Sequence, residues 1–157
     1  MSAIRVVVAD TARAEIFEMD GAHAPLRKLS TLTNPFAARH ERDLGADAPG
    51  RVVNRQGGVQ HALAPRHLLK QQATEKFARL LAERITEETK RPELTGVMLV
   101  IAPRFLALVQ SHLPKNAKRR IIGEVKRNLV ESRRLELQRR VEAGLAAPSE
   151  RTGPIRV

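Results

Sequence analysis

Gly96-Val97-Met98-Leu99-Val100-Ile101-Ala102-Pro103 (GVMLVIAP, residues 96–103) is the stretch that decides the fold of this chain. The unbroken apolar run Val97–Ile101 is typical of a strand buried on both faces of a sheet. Pro103 suits the first turn of a helix, because proline lacks the backbone N–H that this position leaves unpaired. The stretch therefore predicts a central strand, followed by a helix that ends near Leu113–Pro114.

Three shorter apolar segments precede this strand and predict an antiparallel meander. A β-branched run over Ile4–Ala9 leads into a turn over residues 10–13. Apolar residues then predict a second strand over residues 14–19 and a third over residues 26–33, which Asn34–Pro35 ends. Successive short strands that are joined by turns pair antiparallel.

Helical and strand patterns alternate in the rest of the chain. From residue 67 to about 90, apolar residues recur at three- and four-residue spacing, and Arg91–Pro92 ends this helix. Arg120–Val125 predicts a strand at the edge of a sheet. Ser132 is placed to cap a last helix that runs to roughly Leu145.

The order of these elements predicts an α/β fold. Three strands, a loop, and then helix, strand, helix, strand and helix is the order seen in RNase H-like domains, and other α/β folds share it. We therefore predict one domain over residues 1–145, with a mixed five-stranded sheet and flanking helices. Residues 34–66 are polar and without period, and a loop of that length is typical of a functional or a disordered segment. Residues 146–157 are predicted to form a flexible C-terminal tail.

Composition narrows the class of protein. The 157 residues suffice for one ordinary domain. The formal net charge is +11, from 28 Lys and Arg against 17 Asp and Glu, and such an excess attracts polyanions. Without cysteine, disulfides and thiolate metal sites are excluded. No secretory or transmembrane segment is recognisable, so we expect a soluble, cytoplasmic protein.

Asp10, at the end of the first predicted strand, is the first candidate for chemistry. RNase H-like nucleases hold two catalytic metals partly through an aspartate in this place. Such a site needs several convergent carboxylates, yet Arg104 stands where a second acid would follow the fourth strand. We interpret Asp10 as a turn residue, with a metal ligand as the alternative.

The histidines do not form a zinc-binding pattern. Only His61 and His67 are close in sequence, and a predicted helix boundary separates them. We interpret His23, His40, His61, His67 and His112 as surface imidazoles. We expect no metal, no cofactor and no catalytic residues.

Basic residues are concentrated in the last third of the chain. If the fifth strand and the last helix are neighbours, these residues form a cationic face suited to phosphate. The alternative is a solvated face whose arginines cover apolar surface with their stems. The predicted polyanion-binding residues are Lys115, Lys118, Arg119, Arg120, Lys126, Arg127, Arg133 and Arg134, with Arg139 and Arg140 beyond them.

The aromatic residues argue against recognition of bases. The chain has no Trp or Tyr, and Phe17, Phe77 and Phe105 fall on core-facing positions. Only Phe36 is left for stacking. We therefore expect a polyanion to be contacted through its backbone and shape, with no DNA sequence specificity.

Several motifs together resemble a known family. Glu41–Arg42–Asp43–Leu44–Gly45, Asp47 and Pro49–Gly50–Arg51 resemble the long loop of the bacterial host-attachment protein family. The resemblance runs from residue 4 to about 145 and includes Ala102–Pro103–Arg104–Phe105–Leu106. That family is similar to the central domain of archaeal and eukaryotic class I release factors, which implies an RNase H-like fold.

In those release factors a long loop carries Gly-Gly-Gln into the ribosomal peptidyl-transferase centre. Gly57–Gly58–Val59–Gln60 is similar, although Val59 interrupts the motif. The resemblance implies a loop that reaches a partner, and a plain glycine turn is the alternative. The loop residues that we single out are Arg39, Glu41, Arg42, Asp43, Gly45, Asp47, Gly50, Arg51, Gly57, Gly58, Gln60 and His61.

Three functions remain open from the sequence. The first is a non-enzymatic binding protein for ribosome, structured RNA or another polyanion, with steep salt dependence. The second is an indirect role in cell attachment to a host, through a protein partner. The third is a hydrolase that acts on peptidyl-tRNA-like esters. We favour the first.

Overall fold

The computed structural model describes residues 3–36 and 65–147. Five strands and four helices lie wholly within this part of the chain. They are β1 Ala3–Ala9, β2 Arg13–Met19, β3 Arg27–Thr33, α1 Arg66–Thr89, β4 Leu94–Ile101, α2 Pro103–Gln110, α3 Lys115–Lys118, β5 Ile121–Val125 and α4 Arg134–Ala146. Each predicted strand is confirmed. The four-residue helix α3 was not predicted.

The strands form one mixed sheet in the order β3-β2-β1-β4-β5. β1, β2 and β3 pair antiparallel, which confirms the predicted meander. β4 lies parallel to β1 on one side and to β5 on the other. The apolar run Val97–Ile101 is therefore central and fully buried, and β5 is an edge strand, as predicted. This α/β arrangement is compatible with the RNase H-like class.

β3 forms the other edge and contains a bulge. Ile16 pairs with Ser30 and Phe17 with Lys28, so Leu29 has no partner on β2. The Leu29 residue is 44% exposed, although its apolar character helped to predict the strand. A bulge on an edge strand twists the backbone and hinders pairing with another chain.

Helices α1, α2 and α3 cover one face of the sheet. Their apolar residues pack on Val7, Leu99 and neighbouring strand residues. The rings of Phe77 on α1 and Phe105 on α2 are stacked with centroids 6.0 Å apart. Both phenylalanines are buried, as the helical spacing predicts.

Helix α4 crosses the second face from β2 to β5. Near its start the Arg134 guanidinium lies over the Phe17 ring on β2, 4.9 Å from the centroid. Near its end Gly144 contacts Gly123 and Met98 so closely that a Cβ at Gly144 would lie 2.5 Å from Met98 Cε. The two glycines therefore set the distance between helix and sheet.

The predicted cap of α4 is wrong. Arg133 occupies the cap position and makes no side-chain cap hydrogen bond. Ser132 lies one residue too early, in a turn where its backbone N–H donates to the carbonyl of Leu129. The end of the helix, Ala146, agrees with the prediction.

One charged cluster is buried under the end of α1. The Arg5 side chain on β1 is only 6% exposed, and its Nε lies 3.2 Å from Oε1 of Glu88. This Nε makes no aligned hydrogen bond, so the contact is an ion pair with poor hydrogen-bond geometry. Arg5 Nη1 also lies 3.2 Å from Oε1 of Glu18, while Glu88 accepts from Arg84 and Arg91. A buried arginine thus has two carboxylates beside it.

Candidate functional site

Asp10 follows β1 and closes the turn to β2. Its Oδ1 accepts hydrogen bonds from the backbone N–H groups of Ala12 at 2.8 Å and Arg13 at 2.9 Å. An aspartate that binds the backbone two and three residues later stabilises a tight turn. The turn interpretation of Asp10 is confirmed.

The neighbouring strand end brings no second carboxylate. β1 and β4 are parallel and in register, with Ala9 opposite Ile101, so Asp10 and Ala102 follow adjacent strand ends. The chain after β4 continues through Pro103 and Arg104 into α2. Within residues 3–36 and 65–147, no group of three or more His, Asp or Glu side chains could hold a metal ion.

The described histidines are His23, His67 and His112, and His23 and His112 lie beside different carboxylates. His23 is exposed, with Nδ1 at 3.7 Å from Oε1 of Glu142, and His67 is exposed on the first turn of α1. His112 is partly buried, and its Nε2 lies 3.0 Å from Oε2 of Glu75 on α1. The surface prediction is therefore confirmed for His23 and His67, and His112 instead joins two elements.

The predicted cations divide between two opposite ends of the sheet. We call the end of the sheet at which β1, β4 and β5 start the amino edge, and the end at which they stop the carboxyl edge. Neither term refers to the edge strands β3 and β5. Lys115, Lys118 and Arg119 precede β5 and lie at the amino edge. Lys126 and Arg127 follow β5 and lie at the carboxyl edge. β5 separates the two groups by its length, roughly 16 Å for five residues.

Arg120 is tied to the backbone at the amino edge. Its guanidinium donates to the carbonyl of Leu94 at 2.8 Å, to that of Thr89 at 3.1 Å and to that of Arg91 at 3.1 Å. These bonds join the start of β5 to the connection between α1 and β4. Because its guanidinium donates to these carbonyls, Arg120 stabilises the fold.

Arg134 is similarly engaged, at the start of α4. Besides lying over Phe17, it donates from Nη1 to the carbonyl of Leu26 at 3.3 Å. Arg133 is exposed at the cap position of the same helix.

Arg104 is a cation of the carboxyl edge that sequence reasoning did not assign to binding. β4 and β5 are parallel, with Val100 opposite Val125, so their ends lie side by side. Arg104 lies three residues after the end of β4, and Lys126 and Arg127 come directly after the end of β5. All three side chains are exposed. The sequence did not reveal this neighbour because Arg104 and Lys126 are 22 positions apart and only the strand register places them side by side.

The acids near the carboxyl edge have other partners. Glu131 Oε2 lies 3.0 Å from Nη2 of Arg13, and Glu124 accepts a hydrogen bond from Gln110 on α2. Asp10 is engaged by its own turn. Among the described residues, no acidic side chain forms an ion pair with Arg104, Lys126 or Arg127.

The chain leaves β4 and β5 towards opposite faces of the sheet. α2 packs on the face that also carries α1, whereas α4 packs on the other face. In open α/β sheets, ligands bind outside the carboxyl ends of the strands where the strand order reverses, which in this sheet is between β1 and β4, one strand away from β5. The N-terminus of α2 at this place has no side-chain cap and no acid in its first turn.

The aromatic side chains are distributed as predicted. Phe17, Phe77 and Phe105 are buried, and Phe36 is partly buried. Lys76 Nζ lies 5.4 Å from the centroid of the Phe36 ring. The loop residues singled out from the sequence, from Arg39 to His61, lie outside the described residues.

Comparison with known proteins gives one family match. The family described as "Protein required for attachment to host cells" matches residues 5–141. No curated protein matches the sequence. None of the described helices is both long and apolar enough to cross a membrane.

Two solved structures resemble the fold. The crystal structure of the archaeal translation termination factor aRF1 has a TM-score of 0.48 and 16% sequence identity, over 78% of this chain and 29% of that one. A structure described as an archaeal protein has a TM-score of 0.44 and 15% identity, over 78% and 28% of the two chains. This chain spans less than a third of the length of either.

Proposed function

This chain belongs to the family of proteins required for attachment to host cells, and we propose that it acts by binding structured RNA, on the ribosome or free, through exposed cationic side chains. Binding, and not hydrolysis, is the proposed activity. Asp10 supports this choice, because its carboxylate is already hydrogen-bonded to the backbone of its own turn and so has a structural role.

The observation that carries the proposal is the imbalance between paired acids and free cations. Most acidic side chains of the described residues have a basic or polar partner. These are Glu15, Glu18, Asp20, Glu75, Glu87, Glu88, Glu93, Glu124, Glu131, Glu136 and Glu142. Exposed cations without an acidic partner in the described part include Arg104, Lys115, Lys118, Arg119, Lys126 and Arg127. Such charges attract phosphate.

The aromatic residues favour backbone contact over base recognition. Three of the four phenylalanines are buried, and a lysine lies against the fourth. Sequence-tolerant stacking needs exposed aromatic faces. The expected ligand is therefore a folded RNA that presents phosphates, and its bases contribute little.

Co-sedimentation with purified ribosomes over a salt series tests the proposal. We expect binding at low salt that weakens steeply as salt is raised, because counterions return to the phosphates. Absence of binding by the wild-type chain at low salt would contradict the proposal.

The glycine pair is tested in the same experiment. Gly57 and Gly58 lie outside the described residues, and the resemblance to release factors motivates their inclusion. We propose that the Gly57→Val/Gly58→Val variant binds ribosomes more weakly than the wild type does. Equal binding would restrict the interaction to the cationic surface.

A further inference from the structure

We propose that the phosphate-binding site is the carboxyl edge, where Arg104, Lys126 and Arg127 converge, and that the equally charged amino edge does not take part. This inference rests on the proposed function, since it names the part of the surface that an RNA phosphate contacts.

The first argument is convergence on a rigid support. Val100 and Val125 are paired neighbours in the sheet, and Val100 is fully buried. The cations follow these positions by only a few residues, on chain segments that the sheet and α2 hold in place. Groups that are held before binding lose less conformational entropy when they bind.

The second argument is the path of the chain. The chain leaves β4 into α2 on one face and leaves β5 towards α4 on the other face, so the two segments diverge beyond the ends of β4 and β5. At the amino edge, by contrast, α3 itself occupies the approach to β5, and Lys115, Lys118 and Arg119 extend from its outer surface.

The third argument is the position of nearby acids. At the amino edge the side chains of Glu87 and Glu93 are 69% and 60% exposed, with ion pairs of 3.5 and 3.9 Å that leave them in solvent. At the carboxyl edge, Glu124 is bound to Gln110 and Asp10 to its own turn. Glu131 is 80% exposed, but its ion pair with Arg13, at 3.0 Å, is shorter than either ion pair at the amino edge, so its charge is better neutralised. A phosphate meets less repulsion there.

Two matched variants test the inference. One carries Arg104→Gln, Lys126→Gln and Arg127→Gln, and the other carries Lys115→Gln, Lys118→Gln and Arg119→Gln. Each removes three positive charges from exposed positions, so long-range attraction falls equally in both. Binding of a fluorescent RNA hairpin is measured from 50 to 300 mM salt, and circular dichroism checks that both variants are folded.

For the carboxyl-edge variant, we expect the slope of log affinity against log salt to fall by roughly 2 to 3, which corresponds to three lost phosphate contacts. At 0.1 M salt the affinity falls by a factor of about 100. For the amino-edge variant, we expect a slope close to that of the wild type.

The possible failures are distinguishable. If both variants lose the same slope, or if the amino-edge variant loses more, the assignment to the carboxyl edge is overturned while RNA binding stands. If the wild-type chain binds neither the hairpin nor the ribosome at 50 mM salt, the proposed function and this inference are both overturned.

Discussion

Nε of Arg5 on the first strand lies 3.2 Å from Oε1 of Glu88, which is 83 residues further along the chain, at the end of α1. Glu88 also accepts from Arg84 at 3.1 Å and from Arg91 at 3.0 Å. One buried carboxylate therefore holds three guanidinium groups together and joins the longest helix to the sheet.

Replacing that carboxylate should be costly. We expect Glu88→Gln to lower the free energy of unfolding by about 3–5 kcal/mol, because three arginines lose their shared anion and Arg5 stays buried. Urea unfolding measures this loss. The neighbouring Glu87→Gln, whose side chain is 69% exposed, should change stability by less than about 0.5 kcal/mol. Similar losses for the two variants would contradict the central role of Glu88.

Gly96 allows β4 and β5 to approach each other. A Cβ at this position would lie 2.4 Å from Ile122 Cγ2 and 2.8 Å from the carbonyl oxygen of Arg120. Since that backbone oxygen is held in the sheet, we expect Gly96→Ala to cost about 2 kcal/mol in thermal or urea unfolding.

Gly144→Ala is the comparison for this substitution. Its new methyl group would lie 2.5 Å from Cε at the flexible end of the Met98 side chain and 2.9 Å from Cγ2 of Val125, both side-chain atoms, and alanine favours a helix over glycine by about 1 kcal/mol. The loss should therefore be smaller than for Gly96→Ala. A larger loss of stability for Gly144→Ala than for Gly96→Ala would show that the contact between α4 and the sheet tolerates an added methyl group less well than the β4–β5 pair does.

Arg120 and Arg119 are adjacent but should behave differently. Arg120→Gln removes charge-assisted hydrogen bonds to the carbonyls of Thr89, Arg91 and Leu94, and we expect it to destabilise the fold by about 2–3 kcal/mol. Arg119→Gln, at an exposed position, should leave the unfolding midpoint in urea unchanged. Equal stability of the two variants would mean that the bonds of Arg120 contribute nothing net.

Two variants at Asp10 distinguish a role in the turn from a role as a metal ligand. Asp10→Asn keeps an oxygen that accepts from Ala12 and Arg13, so we expect stability close to that of the wild type. Asp10→Ala leaves both N–H groups without this acceptor and should cost about 1 kcal/mol. Thermal unfolding in the presence of EDTA and with added Mg²⁺ checks both variants. Stabilisation by Mg²⁺ in the wild type alone would favour the ligand role.

The sequence alone was sufficient to predict those elements whose pattern is local. The run Val97–Ile101 predicts a buried central strand because no polar residue interrupts it, and Pro103 marks the start of α2 correctly. α3 escaped prediction because four residues with one buried alanine show no period. Ser132 was misplaced because its side chain is equally suited to a turn and to a cap.

Relations between distant residues could not be read in this way. The alternation along β1 turns Arg5 towards the core, but no local rule identifies Glu88 as its partner. Likewise, Lys118 and Lys126 are close in sequence, yet the length of β5 separates them. Arg104 joins Lys126 only because β4 and β5 are parallel and in register.

The path of α4 also has a consequence for folding during synthesis. This helix covers the apolar second face of the sheet, and it is made after all five strands. An elongating chain can therefore complete the sheet and bury the first face while Val6, Phe17 and Met98 still face water. Until α4 leaves the ribosomal tunnel, that bare face offers a binding surface to chaperones and a site of aggregation for neighbouring chains.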